Sequence, residues 1–262
     1  MIIPLFYIIL VIFFVITSYY IFYRNYMTSY KIVAFDMDET LGNFFELSGL
    51  WNLMKNLNPR LTKQDFFMLL DMHQEYLRPN LQHILNYLKT EKKNKNIHRV
   101  IIFTNNQGPK SWSFLIKDYL NYKLQYLLFD HVVGAYKIGN GKQIEKYRTS
   151  HDKKYEDLLK CAKINKVSKI CFIDDQKHQQ MINENVYYIL IDGYEYQIPL
   201  QEKQYRFVKS NLYKKFNKIQ QQHILKYFKA MSKYATKLTV TENDKQTGKN
   251  LLNSIKTFVK KF

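Results

Sequence analysis

The sequence predicts an α/β fold, a parallel sheet with helices on both faces. Three observations predict it. Short runs at 31–35, 100–103, 169–173 and 186–191 are almost wholly apolar and rich in Val and Ile, the composition of strands buried on both sides. Segments of helical period separate them, and that alternation builds parallel sheets. The first three runs each end in Asp, Thr or Asn, on the edge where open α/β sheets hold ligands.

The elements follow in chain order. Residues 1–23 carry no charged side chain, and Ile2 to Tyr23 is an apolar run softened only by Thr17 and Ser18. About 20 such residues cross a bilayer as a helix. Tyr19, Tyr20 and Tyr23 gather at one end, with Arg24 and Lys31 beyond them. An aromatic belt followed by positive charge predicts a single-pass membrane anchor with the rest of the chain cytosolic. A cleaved signal peptide needs a basic start, a shorter apolar core and a small-residue cleavage site; the sequence has none of these.

Residues 24–30 read as a linker, and Lys31-Ile32-Val33-Ala34-Phe35 as the first strand. Residues 44–57 and 61–77 have helical spacing, with Thr62 as the N-cap of the second. Pro79 opens a helix carrying Leu81, Ile84, Leu85 and Leu88. A Lys/Asn-rich loop at 91–96 leads to the strand Val100-Ile101-Ile102-Phe103. Next come a helix over 110–127, a strand near 131–135, a glycine-containing loop at 139–141 and a helix over 152–164. The strands at 169–173 and 186–191 finish the sheet. A domain over 31–200, with a small helical insert at 42–78, thus precedes a helical tail at 201–262.

The net charge of +18 is uneven. The tail holds 15 Lys/Arg against 3 Asp/Glu, a net +12, which suggests an anionic partner, either phospholipid headgroups or nucleic acid. An anchor nearby favours the leaflet. Leu251, Leu252, Ile255 and Phe258 recur at helical spacing among lysines, as in a helix lying on a leaflet or one packed on the domain. Cys161 and Cys171 form no CxxC pair and read as free thiols in a reducing compartment.

The strand ends carry the chemistry. The first runs into Asp36-Met37-Asp38-Glu39-Thr40, the second into Thr104-Asn105-Asn106, and a later one into Asp174-Asp175. Four carboxylates on one sheet edge repel one another unless a cation lies among them. Oxygen-only ligands favour a hard cation, and Mg²⁺ is the usual one beside phosphate. A calcium loop starting at Asp36 needs Gly at its sixth position and Glu at its twelfth; Leu41 and Leu47 stand there. Asp174-Asp175 or Thr104-Asn105 alone would be ordinary turns, but their joint occurrence at three strand ends is not ordinary. His73, His83, His131, His151 and His178 show no metal-ligand spacing and read as structural or surface residues.

Over residues 31–192 this arrangement resembles the haloacid dehalogenase (HAD) superfamily. Phe35-Asp36-Met37-Asp38-Glu39-Thr40-Leu41 is similar to its first motif, Phe103-Thr104-Asn105 to its second and Ile173-Asp174-Asp175 to its fourth. Leu77-Arg78-Pro79-Asn80 looks like the compact phosphatases of the carboxy-terminal-domain type, and the chain has the look of members found in large DNA viruses. The resemblance implies a Rossmann-like HAD fold with a small or absent cap. It implies a Mg²⁺-dependent phosphatase, with Asp36 as nucleophile and Asp38 as general acid and base. Thr104 and Asn105 would hold the phosphoryl group, and Asp36, the carbonyl of Asp38, and Asp174 with or without Asp175 the metal. The family's phosphate-pairing lysine is expected at Lys153, preferred over Lys154 and Lys137 because a helix N-terminus then also faces the anion. A phosphorylated protein is the favoured substrate, ahead of a nucleic-acid end phosphate. The other function class left open is a membrane-bound scaffold with a weakly active domain.

Overall fold

Five strands form one sheet, four of them where the apolar runs stand: β1 (Lys31–Phe35), β2 (Arg99–Phe103), β3 (Phe129–Val133), β4 (Lys169–Asp174) and β5 (Val186–Leu190). The computed structural model describes residues 5–27, 29–138, 141–235 and 237–262. All neighbouring strands are parallel, in the order β3-β2-β1-β4-β5. The order reverses at β1, so the crevice between the carboxyl ends of β1 and β4 is the switch point at which such sheets bind ligands.

The helices are α1 (Leu5–Met27), α2 (Phe45–Leu57), α3 (Lys63–Asp71), α4 (Leu81–Lys93), α5 (Lys110–Leu124), α6 (Tyr155–Ala162), α7 (Leu200–Lys209), α8 (Lys218–Met231) and α9 (Glu242–Lys261). Alternate strand residues point to opposite faces. Val33, Phe35, Val100, Ile102, Cys171 and Ile173 join a large core under α2–α5 and α7–α9. Ile32, Ala34, Ile101, Phe103, Ile170 and Phe172 join a smaller one under α6. Both faces are covered, unequally.

Several expected boundaries move, for local reasons. The helix expected over 61–77 starts with the expected cap, a Thr62–Asp65 capping box, but ends at Asp71 before a 3-10 turn at Gln74–Tyr76. The chain must turn there because Asn43 N–H donates to Tyr76 O (2.8 Å) and Arg78 N–H to Leu41 O (3.0 Å). Asn80 takes a left-handed backbone, φ 67°, so the next helix opens at Leu81 rather than Pro79; Asn tolerates that region. The helix over 110–127 stops at Leu124, and the strand near 131–135 begins at Phe129, whose N–H the Asn121 side chain accepts at 2.9 Å. The helix over 152–164 is Tyr155–Ala162. Of the loop 139–141, residues 139 and 140 lie outside the described residues.

The segment 201–262 completes the large core instead of trailing from it. Leu251, Ile255 and Phe258 are buried, and α9 lies against α4 and β5, so the apolar stripe is not available to a leaflet. Gly248 allows the close approach: a Cβ there would stand 2.2 Å from Pro79 O. Beneath α7, Lys203 and Glu46 form a fully buried ion pair at 2.5 Å, and Tyr76 donates to the other Glu46 oxygen at 2.8 Å.

Among the described residues, no helix is long and apolar enough to cross a membrane. Much of the expected span 1–23 falls outside that set, namely residues 1–4 and the side chains of 5, 6, 8, 9, 21, 22 and 23. The side chains of α1 that are described, residue 7 and residues 10–20, are exposed apart from a half-buried Thr17. Because α1 reaches Met27, it takes in most of the stretch 24–30 expected as a linker.

Candidate active site

A pocket of about 200 Å³ opens at the carboxyl edge, lined by residues of three strand ends and by Lys153. Asp36 follows β1 directly, and its N–H donates to Ile173 O of β4 at 2.8 Å. Asp174 is the last residue of β4. The two carboxylates therefore meet because β1 and β4 are neighbours in register.

Lys153 comes from the opposite side. It lies just before α6, whose N-cap is Lys154. Its Nζ sits between Asp36 Oδ1, in a very close ion pair, and Asp174 Oδ2 at 2.6 Å. Its side chain is 2 % exposed. Lys154 is only half-buried, and Lys137 lies over the Tyr136 ring.

Thr104 and Asn105 line the pocket beside Asp36, as expected. Thr104 Oγ1 accepts the Asn106 N–H at 3.0 Å. Asn106 is a further pocket residue that the motifs do not mark. Its side-chain amide donates to Asp38 Oδ2 at 2.8 Å and so aims Asp38 at the pocket. Thr40 Oγ1 donates to Asp175 Oδ1 at 2.8 Å. His178, expected to be structural or on the surface, lines the pocket with Nε2 3.4 Å from Asp174 Oδ2. Nothing in the spacing of His178 marks it; the turn that follows β4 brings it back.

Two buried arginines hold the loops. Arg78 donates to Thr40 O (2.7 Å), Glu39 O (2.5 Å) and Asp192 O (2.7 Å). Glu39 has φ 59°, a strained setting for a residue other than Gly, and the Arg78 clamp and the Tyr194 N–H on Glu39 O (2.9 Å) keep it there. Arg148 reaches four carbonyls: Thr104 (3.2 Å), Gly134 (3.0 Å), His151 (2.9 Å) and Asp152 (3.1 Å). It ties the ends of β2 and β3 to the segment that delivers Lys153.

The electrostatics show a shortage of positive charge. Five carboxylates, those of Asp36, Asp38, Glu39, Asp174 and Asp175, line the pocket with one lysine. Burial pushes Asp36 up to about 8, against the pull of Lys153 and with the push of Asp174. Burial acts to raise Asp174 too, but contacts with His178 and Lys153 outweigh it and hold Asp174 below the usual carboxylate range. Asp38 is raised by burial despite the Asn106 hydrogen bond, and Asp175 is raised by burial. Desolvated like charges without enough counter-charge take up protons.

Asp36, Asp174 and Asp175 each bring a carboxylate oxygen within 4.8 Å of the others. An all-oxygen set with excess negative charge fits a hard divalent cation such as Mg²⁺. The three residues expected to bind the metal by carboxylate are the three that converge; Asp38 is expected to offer its carbonyl, and its carboxylate takes the Asn106 hydrogen bond instead. Comparison with known proteins found no matching family model, no matching curated protein and no matching solved structure.

Proposed function

We propose that the protein is a Mg²⁺-dependent phosphomonoester hydrolase that works through an aspartyl-phosphate on Asp36. The observation that carries this reading is Lys153, buried between Asp36 and Asp174 at the switch point, with Thr104 and Asn105 beside it. That is a cradle for a small dianion next to a carboxylate nucleophile. Asp36 attacks phosphorus as the bond to the leaving oxygen breaks. Asp38, which burial makes a weaker acid than a free carboxyl, gives that oxygen its proton. Asp38 then takes a proton from water, which attacks the aspartyl-phosphate and frees phosphate and Asp36. Asp36, Asp174 and Asp175 would hold Mg²⁺, whose charge would favour the ionised form of Asp36 and let one anion approach another.

The pocket holds about 200 Å³, enough for a phosphoryl group and little of what bears it. No described residue of the insert 42–78 lines it. An uncapped, narrow pocket suits a phosphate on a large substrate, and phosphoprotein is the favoured class. We further propose α1 as a single-pass anchor with the domain cytosolic, supported by the exposed apolar side chains along that helix.

The test is hydrolysis of an aryl phosphate by the full chain in detergent, with Mg²⁺ or EDTA, beside Asp36→Asn. The wild type should turn over only with Mg²⁺ and yield a hydroxylamine-labile phosphoprotein. Equal turnover in Asp36→Asn would sink the mechanism.

A further inference from the structure

All strands are parallel, so the sheet has two unlike edges. The carboxyl edge carries the pocket. The amino edge is where α1 joins the domain, because β1 begins three residues beyond α1. Three residues span at most about 10 Å. The joint is also held: Ser29 Oγ donates to Val167 O (2.8 Å), Tyr30 N–H to Ser168 Oγ (3.3 Å) and Lys31 N–H to His98 Nδ1 (3.1 Å).

That edge is basic, and from distant parts of the chain. β1, β2 and β4 open with Lys31, Arg99 and Lys169. The loops before β2 and β4 add exposed Lys95 and Lys163. The end of α9 arrives as well, since Lys31 Nζ donates to Val259 O at 2.8 Å, which brings exposed Lys260 and Lys261. Part of this charge is used locally, since Lys31, Arg99 and Lys92 bind carbonyls at helix or loop ends. Lys92 also pairs with Asp130, and Lys166 lies 4.0 Å from Glu156. Glu91 and Glu184 stand on the same edge. Yet the ammonium groups of Lys95, Lys163, Lys260 and Lys261 bond to no carboxylate or carbonyl among the described residues. Beside them, Tyr30, Lys92, Lys95, His98, Arg99 and Tyr126 line a cavity of about 410 Å³.

We propose that this amino edge is a docking face for an anionic phospholipid leaflet, with the cavity receiving a lipid phosphate. The inference rests on the anchor reading for α1 and not on the phosphatase reading. Charge complementarity selects the partner: cations without ion pairs, ringing the attachment point of an exposed apolar helix, meet a surface of negative headgroups at the one place the tether brings them. The docked state orients the pocket away from the bilayer.

The experiment is hydrogen–deuterium exchange of the full chain reconstituted in phosphatidylcholine vesicles, with and without phosphatidylserine. Segments 94–99, 163–169 and 258–262 should exchange more slowly in the anionic vesicles, while 104–108 and 174–178 should not change. Lys95→Glu/Lys163→Glu/Lys260→Glu alters only exposed side chains. It should abolish the difference, at about five-fold loss of the docked fraction per lysine. Insertion in both vesicles with no lipid-dependent protection overturns the docking face and leaves the anchor standing. Protection at the carboxyl edge, or protection of the amino edge by an added oligonucleotide but not by vesicles, also overturns it. Failure to float with either vesicle overturns the anchor, and the docking face with it.

Discussion

Replacing Arg148 by Met keeps most of the side-chain length and removes every donor. Four carbonyls lose their partner, but they are not equivalent. His151 and Asp152 are exposed, so water replaces the guanidinium there at small cost. Thr104 and Gly134 are buried, and each buried acceptor left unpaired costs about 1–3 kcal/mol. The substitution should therefore destabilise by about 2–6 kcal/mol, all from two carbonyls. Arg148→Lys should recover part of this, since an ammonium can reach some of the four but lacks the planar fork. Urea titration of the full chain in detergent, followed by tryptophan fluorescence from Trp51 and Trp112, measures it. A loss below about 1 kcal/mol for Arg148→Met would refute the assignment of these bonds as the tie between β2, β3 and Lys153.

Other outcomes follow from features away from the pocket. His73 is fully buried, its ring nitrogen Nδ1 3.0 Å from Leu69 O, and burial lowers its pKa from 6.5 to about 4. The unfolded chain therefore binds this proton first. Stability is intact above pH 6.5, falls as pH drops below it, and stops falling below about 4, a loss of about 3 kcal/mol. His73→Leu should flatten that part of the stability–pH curve in the same urea assay. Lys203→Met leaves Glu46 buried without its cation and should cost about 3–5 kcal/mol, while adding Glu46→Gln should restore much of it; a double variant as unstable as the single would contradict this. Gly248→Ala forces a Cβ to 2.2 Å from Pro79 O and should cost at least about 1–3 kcal/mol by thermal melting, with α9 the first helix to lose exchange protection.

The strands β1, β2 and β4 are legible because a strand buried on both faces leaves little that is polar in its run, and the polar residues collect at the ends. That is how Asp36, Thr104 and Asp174 stand out, whereas Lys153 is preferred over Lys154 on the helix N-terminus beside it. Strand β3, with Asp130 and His131 inside it, begins two residues before the stretch expected for it. Arg78 and Arg148 are not legible in these roles. They serve backbone carbonyls, which exist at every position and leave no pairing pattern between side chains. His178 and Asn106 enter the pocket through the path of loops after strand ends, which spacing does not encode. The stripe at 251–258 is apolar and helical as its spacing predicts, but an amphipathic helix has the same periodicity whether it faces lipid or a core. Only the partner surface on α4 and β5 decides.

A sheet with all strands parallel has a height as well as two edges. Five residues of strand rise about 17 Å, so a domain standing on its amino edge holds its pocket at roughly that altitude above the headgroups. Phosphates of a leaflet docked in that way would lie beneath the floor and out of sight of Asp36. In the docked state proposed above, the pocket would meet cargo passing through a thin layer at fixed stand-off, such as a tail or loop of another protein held at the same surface. Confinement to that layer raises the local concentration of such partners without a single added contact, and a modest pocket can then be selective by address rather than by fit.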